Sequence, residues 1–241
     1  MATGARHTDR REDALSRERI VDAAVELLDV AGESGLTFRA LSAQLKTGPG
    51  AIYWHVANKS ELLDAATDAV LTAATTRDRA TGSPEQTSGD RATGSPEEQI
   101  RAVALGLFDA IDQHPWLAPQ LANNPWKSVT LQLFDRVGQQ VQALGVPSPA
   151  QFTSASALMI YILGAAGQNA TNAANARAHQ PDGDRAALLE TESAAWKRLD
   201  RTGYPFLHDV AAEFREHDDR AQFLAGVDLI LTGIAALRPQ G

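Results

Sequence analysis

The chain reads GLTFRALSAQL from Gly35 to Leu45, KTG from Lys46 to Gly48, and PGAIYWHVANKSELLDA from Pro49 to Ala65. Thr37 can cap a short helix whose Phe38, Leu41 and Leu45 fall on one face. Lys46, Thr47 and Gly48 then supply a tight turn, and Pro49 suits the first position of a helix continuing through Ile52, Tyr53 and Val56. Asn58 and Glu61 have the spacing of a capping box for a fourth helix with Leu62, Leu63, Ala66 and Val70 turned inward. Two helices joined by a short turn, the second rich in aromatics, fit the width of a DNA major groove. Bare helix pairs also occur in ordinary helical domains, so geometry alone leaves both readings open.

Charge separates them. From Leu36 to Ser60 the chain carries Arg39, Lys46 and Lys59 and no acidic residue, with Glu33 and Glu61 just outside. The whole chain has a formal charge of −8, which argues against indiscriminate coating of nucleic acid, since phosphate attraction supplies most nonspecific affinity. A single electropositive window in an acidic protein points instead to a local contact with phosphates.

Outward from this window, the pattern predicts an all-α chain. A first helix runs from about Arg17 to Ala31, with Ile20, Ala24, Leu27 and Leu28 on one stripe and Gly32 ending it. The fourth helix is expected to fade after Arg77. The octamer DRATGSPE then occurs twice, at 78–85 and 90–97, a short duplication whose Gly, Ser and Pro content suits a flexible linker better than a solenoid. Further helices are predicted at 97–113, 126–144, 149–177, 184–201 and 219–237, separated by Pro-rich joints. The expected organisation is a disordered tail over 1–16, a DNA-binding unit with its connecting helix over 17–77, a linker over 78–96, and a helical body over 97–241. The last helix holds more apolar surface than an outer helix of a monomer needs, which suggests an oligomer interface.

With no cysteine in 241 residues, disulfides, thiolate metal sites and cysteine nucleophiles are excluded. No GxSxG, HExxH or GxxxxGKS motif is present, and the six histidines are scattered, so neither an enzyme nor a cofactor is expected. No run approaches the roughly 20 apolar residues of a bilayer span, and the polar start lacks the apolar core of a signal peptide, so the expected location is the cytoplasm, on the nucleoid when DNA is bound.

The stretches at Gly35–Leu45 and Ala51–Ala65 resemble the DNA-binding domain of the TetR family, and YWHV, NK and LLDA are especially similar to the tetracycline repressors. The likeness covers Arg17 to Thr75. HPW at 114–116, YPFL at 204–207 and FLAGVDLILTGIAAL at 223–237 resemble the ligand-binding domain of the same group more loosely. This resemblance implies a homodimer that presents its third helix to each half of a palindromic operator and releases the DNA on binding a small-molecule effector. It also implies phosphate contacts from Thr37, Tyr53 and Lys59, and contacts to base edges or the groove wall from Arg39, Trp54 and His55. Lys46 belongs to the same interface. Tyr53 could equally pack under the first helix, and His55 could brace the turn after it. Where the tetracycline repressors carry Gln, Pro and Thr, this chain has Pro49, Gly50 and Ala51, so a different operator is expected.

For the effector, Gln168, Asn172 and Asn175 share one helical face, opposite Leu158, Ile162 and Ala166. They could line a cavity or face solvent. Phe108, Trp116, Trp126, Phe134 and Tyr161 could form its apolar walls, or the core. No histidine matches the magnesium ligand of the tetracycline repressors, so neither that antibiotic nor its metal is carried over.

Overall fold

The computed structural model describes residues 15–80, 94–123, 128–179 and 184–238. These form helices alone: α1 Arg17–Gly35, α2 Phe38–Gln44, α3 Pro49–Tyr53, α4 Lys59–Ala80, α5 Pro96–Gln113, α6 Leu117–Asn123, α7 Ser128–Ala143, α8 Ser148–His179, α9 Arg185–Arg198, α10 Pro205–Arg215 and α11 Asp219–Ala235. The all-α expectation holds. Residues 1–14 of the expected tail and 81–93 of the expected linker lie outside the described residues.

Local chemistry sets the helix ends. The Ser16 hydroxyl accepts from Arg19 N at 3.2 Å to start α1, and Thr37 accepts from Ala40 N at 3.1 Å to start α2. Gly32 leaves helical geometry at φ 63°, a region where glycine meets no steric penalty, so the regular part of α1 stops where expected and one irregular turn follows. Helical structure enters the expected linker at both of its ends. The linker's first three residues continue α4, and the second copy supplies Ser95, whose hydroxyl accepts from Glu98 N at 3.2 Å while Ser95 N donates to the Glu98 carboxylate at 2.7 Å. Pro96 and Glu97 therefore open a helix with a complete capping box.

Two helices were not expected, α6 and α10. Pro119 is the third residue of α6 and Pro205 the first of α10, positions whose N–H has no acceptor within the helix. Proline breaks a helix only from its second turn onward.

The buried apolar residues form one continuous cluster that joins the N-terminal four helices to the body. Ile20, Ala24, Leu28, Leu41, Ile52, Val56, Leu62 and Ala66 close the first part, and Ile100, Ala104, Leu107, Ile111, Leu158, Ile162 and Val227 lie at the centre of the second. Contrary to the sequence expectation, one helix is long and apolar enough to cross a membrane: Ser148–Ala178 of α8, whose window averages as apolar because alanines and glycines separate its large side chains. Leu158, Met159, Ile162, Ala166 and Ala170 form its buried face, and it packs against α5, α6, α7 and α11. This is the central helix of the body.

A bare nucleic-acid face and the joint behind it

The turn between α2 and α3 is tight because Lys46 adopts a left-handed conformation at φ 51°. It places α3 with Ile52 fully buried, and Val56 just beyond the helix closes the same core. Tyr53 and Trp54, between those anchors, point the other way and are 53% and 90% exposed. The helix is shorter than expected. After Tyr53 the chain turns, with His55 N and Val56 N both donating to Ile52 O at 2.9 and 3.1 Å. That turn is what carries Trp54 into solvent.

The sequence-predicted residues of this face are assembled together. Arg39, Lys46, Pro49 and Gly50 are exposed, and Ala51 and His55 are half-buried. Tyr53 does not pack beneath α1; its ring stacks on Phe38 with centroids 4.4 Å apart and an interplanar angle of 15°. That stack fixes the ring and leaves the phenol edge outward. Neither Arg39 nor Lys46 has a carboxylate partner among the described residues. Thr37 uses its oxygen to accept the α2 capping bond, which leaves the O–H free to donate. Lys59 differs from expectation: its ammonium donates to Glu33 O at 2.6 Å, tying the first turn of α4 to the end of α1. Two of its three N–H groups remain for other acceptors.

The residues expected around an effector are not gathered into one pocket. Phe108 and Tyr161 both pack on Phe223, with centroids 4.7 and 5.9 Å away, and the Tyr161 hydroxyl donates to Phe223 O at 3.2 Å. Burial raises the Tyr161 phenol above its ordinary value. Tyr161→Phe is therefore expected to remove the last-titrating, most alkaline part of the tyrosinate absorbance. An unchanged alkaline end of that titration would refute the assignment. Phe134 meets Phe152 edge to face at 5.9 Å. Trp126 lies outside the described residues. Gln168 and Asn172 are exposed and bonded to one another at 2.9 Å, and Asn175 is exposed on the same face. This is the outer face of α8, continuing the exposed row of Ala157, Ile160 and Gly164. Phe108, Phe134 and Tyr161 each pack against another ring rather than around a common cavity.

A cleft of about 820 Å³ opens elsewhere. Val25 of α1, Val70 and Ala73 of α4, Leu105 of α5, Arg220 of α11 and His114 line it. A second cleft of about 340 Å³ lies against Asp29, Glu33, Trp116 and Gln120. Of the residues expected around an effector, Trp116 lines the second cleft; the other lining residues of the two clefts were not expected, because helices distant in the chain bring them together.

Residues 20–66 match the family model described as bacterial regulatory proteins, tetR family, and residues 88–238 match tetracyclin repressor-like, C-terminal domain. The chain is similar to the solved transcriptional regulator SCO7222, a TetR from Streptomyces coelicolor, at 56% identity and a TM-score of 0.81 over 94% of this chain and 100% of that one. It is 26% identical over 214 residues to the HTH-type transcriptional repressor DrrR1 of Streptomyces coeruleorubidus, covering 88% of this chain and 70% of that protein. It is also similar to the Streptomyces coelicolor protein ActR solved in complex with (S)-DNPA, at 25% identity and a TM-score of 0.63 over 92% of this chain and 98% of that one.

Proposed function

The chain belongs to the TetR family of bacterial regulatory proteins, and we propose that it is a cytoplasmic repressor whose dimer binds a palindromic operator and leaves it when a small molecule binds. It is a DNA-binding, ligand-responsive transcriptional regulator. The observation that carries the DNA reading is Trp54, almost wholly exposed beside Tyr53 on a helix end between the fully buried Ile52 and Val56. Large aromatics left in water on a rigid scaffold are contact residues, and here they adjoin an acid-free basic window. Thr37, Arg39, Lys46, Tyr53 and Lys59 contact phosphates and the groove edge, and Pro49, Gly50, Ala51, Trp54 and His55 face the bases.

The second copy packs on the outer faces of α8 and α11. Phe152, Ile160 and Leu229 are each more than 70% exposed there, and a shallow groove between Ala157 and Ile230 continues the patch. The effector occupies the 820 Å³ cleft, whose size suits a small molecule. That cleft is lined by α1 and α4 on one side and by α5 and α11 on the other, so a ligand there senses how the DNA-binding unit sits on the body. Such a difference is required, because a ligand with equal affinity for both states shifts nothing. ActR, solved with a small molecule, supports the ligand-responsive reading.

Selection of bound sites from random DNA tests the DNA reading; recovery of a palindrome is expected, and recovery of no consensus would refute it. Arg39→Ala and Lys46→Ala are each expected to weaken binding about equally across sequences and to reduce the salt slope by about one. Folding should be untouched, since both side chains are exposed. Unchanged affinity and salt slope in the folded variants would remove these two residues from the interface.

A further inference from the structure

We propose that Asp29 is a positioning residue for operator binding, the point at which the body holds the DNA-binding unit in register. Its carboxylate stands one turn before the break in α1 at Gly32. The indole N–H of Trp116 donates to Asp29 Oδ1 at 2.7 Å, and His114 Nδ1 lies 2.7 Å from the same oxygen. Because a carboxylate only accepts, the imidazole proton there must sit on Nδ1. One helical turn further on, Gln120 of α6 donates to the Glu33 carboxylate at 3.0 Å, and the carbonyl of Glu33 accepts from Lys59 at the start of α4.

Three donors from a short stretch of the body thus converge on two carboxylates at the end of α1, and the second passes the contact on to α4. The three bonds from the body join residues at least 85 apart in sequence. Pro115 stiffens the donor stretch, and the two carboxylates it reaches stand on either side of the α1 break at Gly32. Apolar contacts resist separation of the two parts but fix their angle weakly, whereas charge-assisted bonds are directional. His114 also lines the 820 Å³ cleft, so a ligand lodged there touches the same imidazole that holds Asp29.

The inference rests on the dimeric operator-binding reading, and the experiment separates the two. The chain has no cysteine, so Ala43→Cys on the exposed side of α2 gives one spin label per subunit. Pulsed electron–electron distance measurement then reports the spacing of the two DNA-binding units in the free dimer. Asp29→Ala is expected to broaden or shift that distribution and to lower affinity for the selected operator about tenfold. Trp116→Phe, which removes one donor and keeps a smaller aromatic ring, should do the same to a smaller degree, with Asp29→Asn between. Ser95→Ala, which weakens the α5 cap away from the joint, should lower thermal stability without changing the spacing. If Asp29→Ala does not fold, Trp116→Phe and Asp29→Asn decide. Unaltered spacing and operator affinity in folded Asp29 variants would overturn the proposal. Failure of the unsubstituted labelled protein to bind a palindrome would instead overturn the operator reading.

Discussion

Trp54→Ala is expected to cost about 2 kcal/mol of operator affinity, roughly 30-fold, with no measurable loss of thermal stability. The two halves of that expectation follow from one number. At 90% exposure the indole buries almost nothing within the protein, so its removal creates no cavity and unpairs no buried group. On DNA the same side chain becomes the largest apolar surface available to be covered. Tyr53, by contrast, stacks on Phe38, so Tyr53→Ala mixes a structural loss with a binding loss. Trp54→Phe should keep most of the affinity. Equal operator binding by Trp54→Ala and the unsubstituted protein, measured by fluorescence anisotropy at one fixed salt concentration, would show that the exposed indole serves some other surface.

The DNA-binding face was readable in the sequence because everything that builds it is local. Thr37 caps, Lys46 turns, Pro49 starts and Asn58 caps again, all within three or four residues of the groups they satisfy. Even there, the end of α3 was hidden: Trp54 and His55 are compatible with more helix, and only the paired bonds to Ile52 O show the chain turning. Proline misled in the body, since Pro119 and Pro205 carry the same letter whether they break a helix or begin one. The effector region was the least legible. Phe108, Phe134 and Tyr161 fit a cavity wall and the core equally well by type, and type does not say whether an aromatic ring faces a void or another ring. Asp29, meanwhile, carries no local signal in the sequence; its partners stand on the far side of α4 and α5 in sequence.

Gly226→Ala on α11 is expected to destabilise the protein by about 2 kcal/mol, although glycine to alanine within a helix ordinarily gains up to about 1 kcal/mol. A Cβ at this position would overlap the phenol of Tyr161, which lies against the α11 backbone and donates to Phe223 O. Tyr161 must then leave, giving up a hydrogen bond of about 1 kcal/mol and the stack on Phe223, of similar size. The expected fall in midpoint is about 4–8 °C for a chain of this length. Gly138→Ala on α7 is the control, because nothing stands within 4 Å of a Cβ built there, and it should be neutral or stabilising. The decisive measurement is a double-mutant cycle. With Tyr161→Ala already present, the space beside Gly226 is empty, and Gly226→Ala should reverse sign and raise the midpoint by virtue of helix propensity alone. The same loss in both backgrounds would mean that the glycine serves something other than the approach of α8 to α11. Sign reversal would identify that approach as the reason for the glycine, and would show that Tyr161 acts in the core, as the lock between the two helices on which the second subunit is proposed to pack.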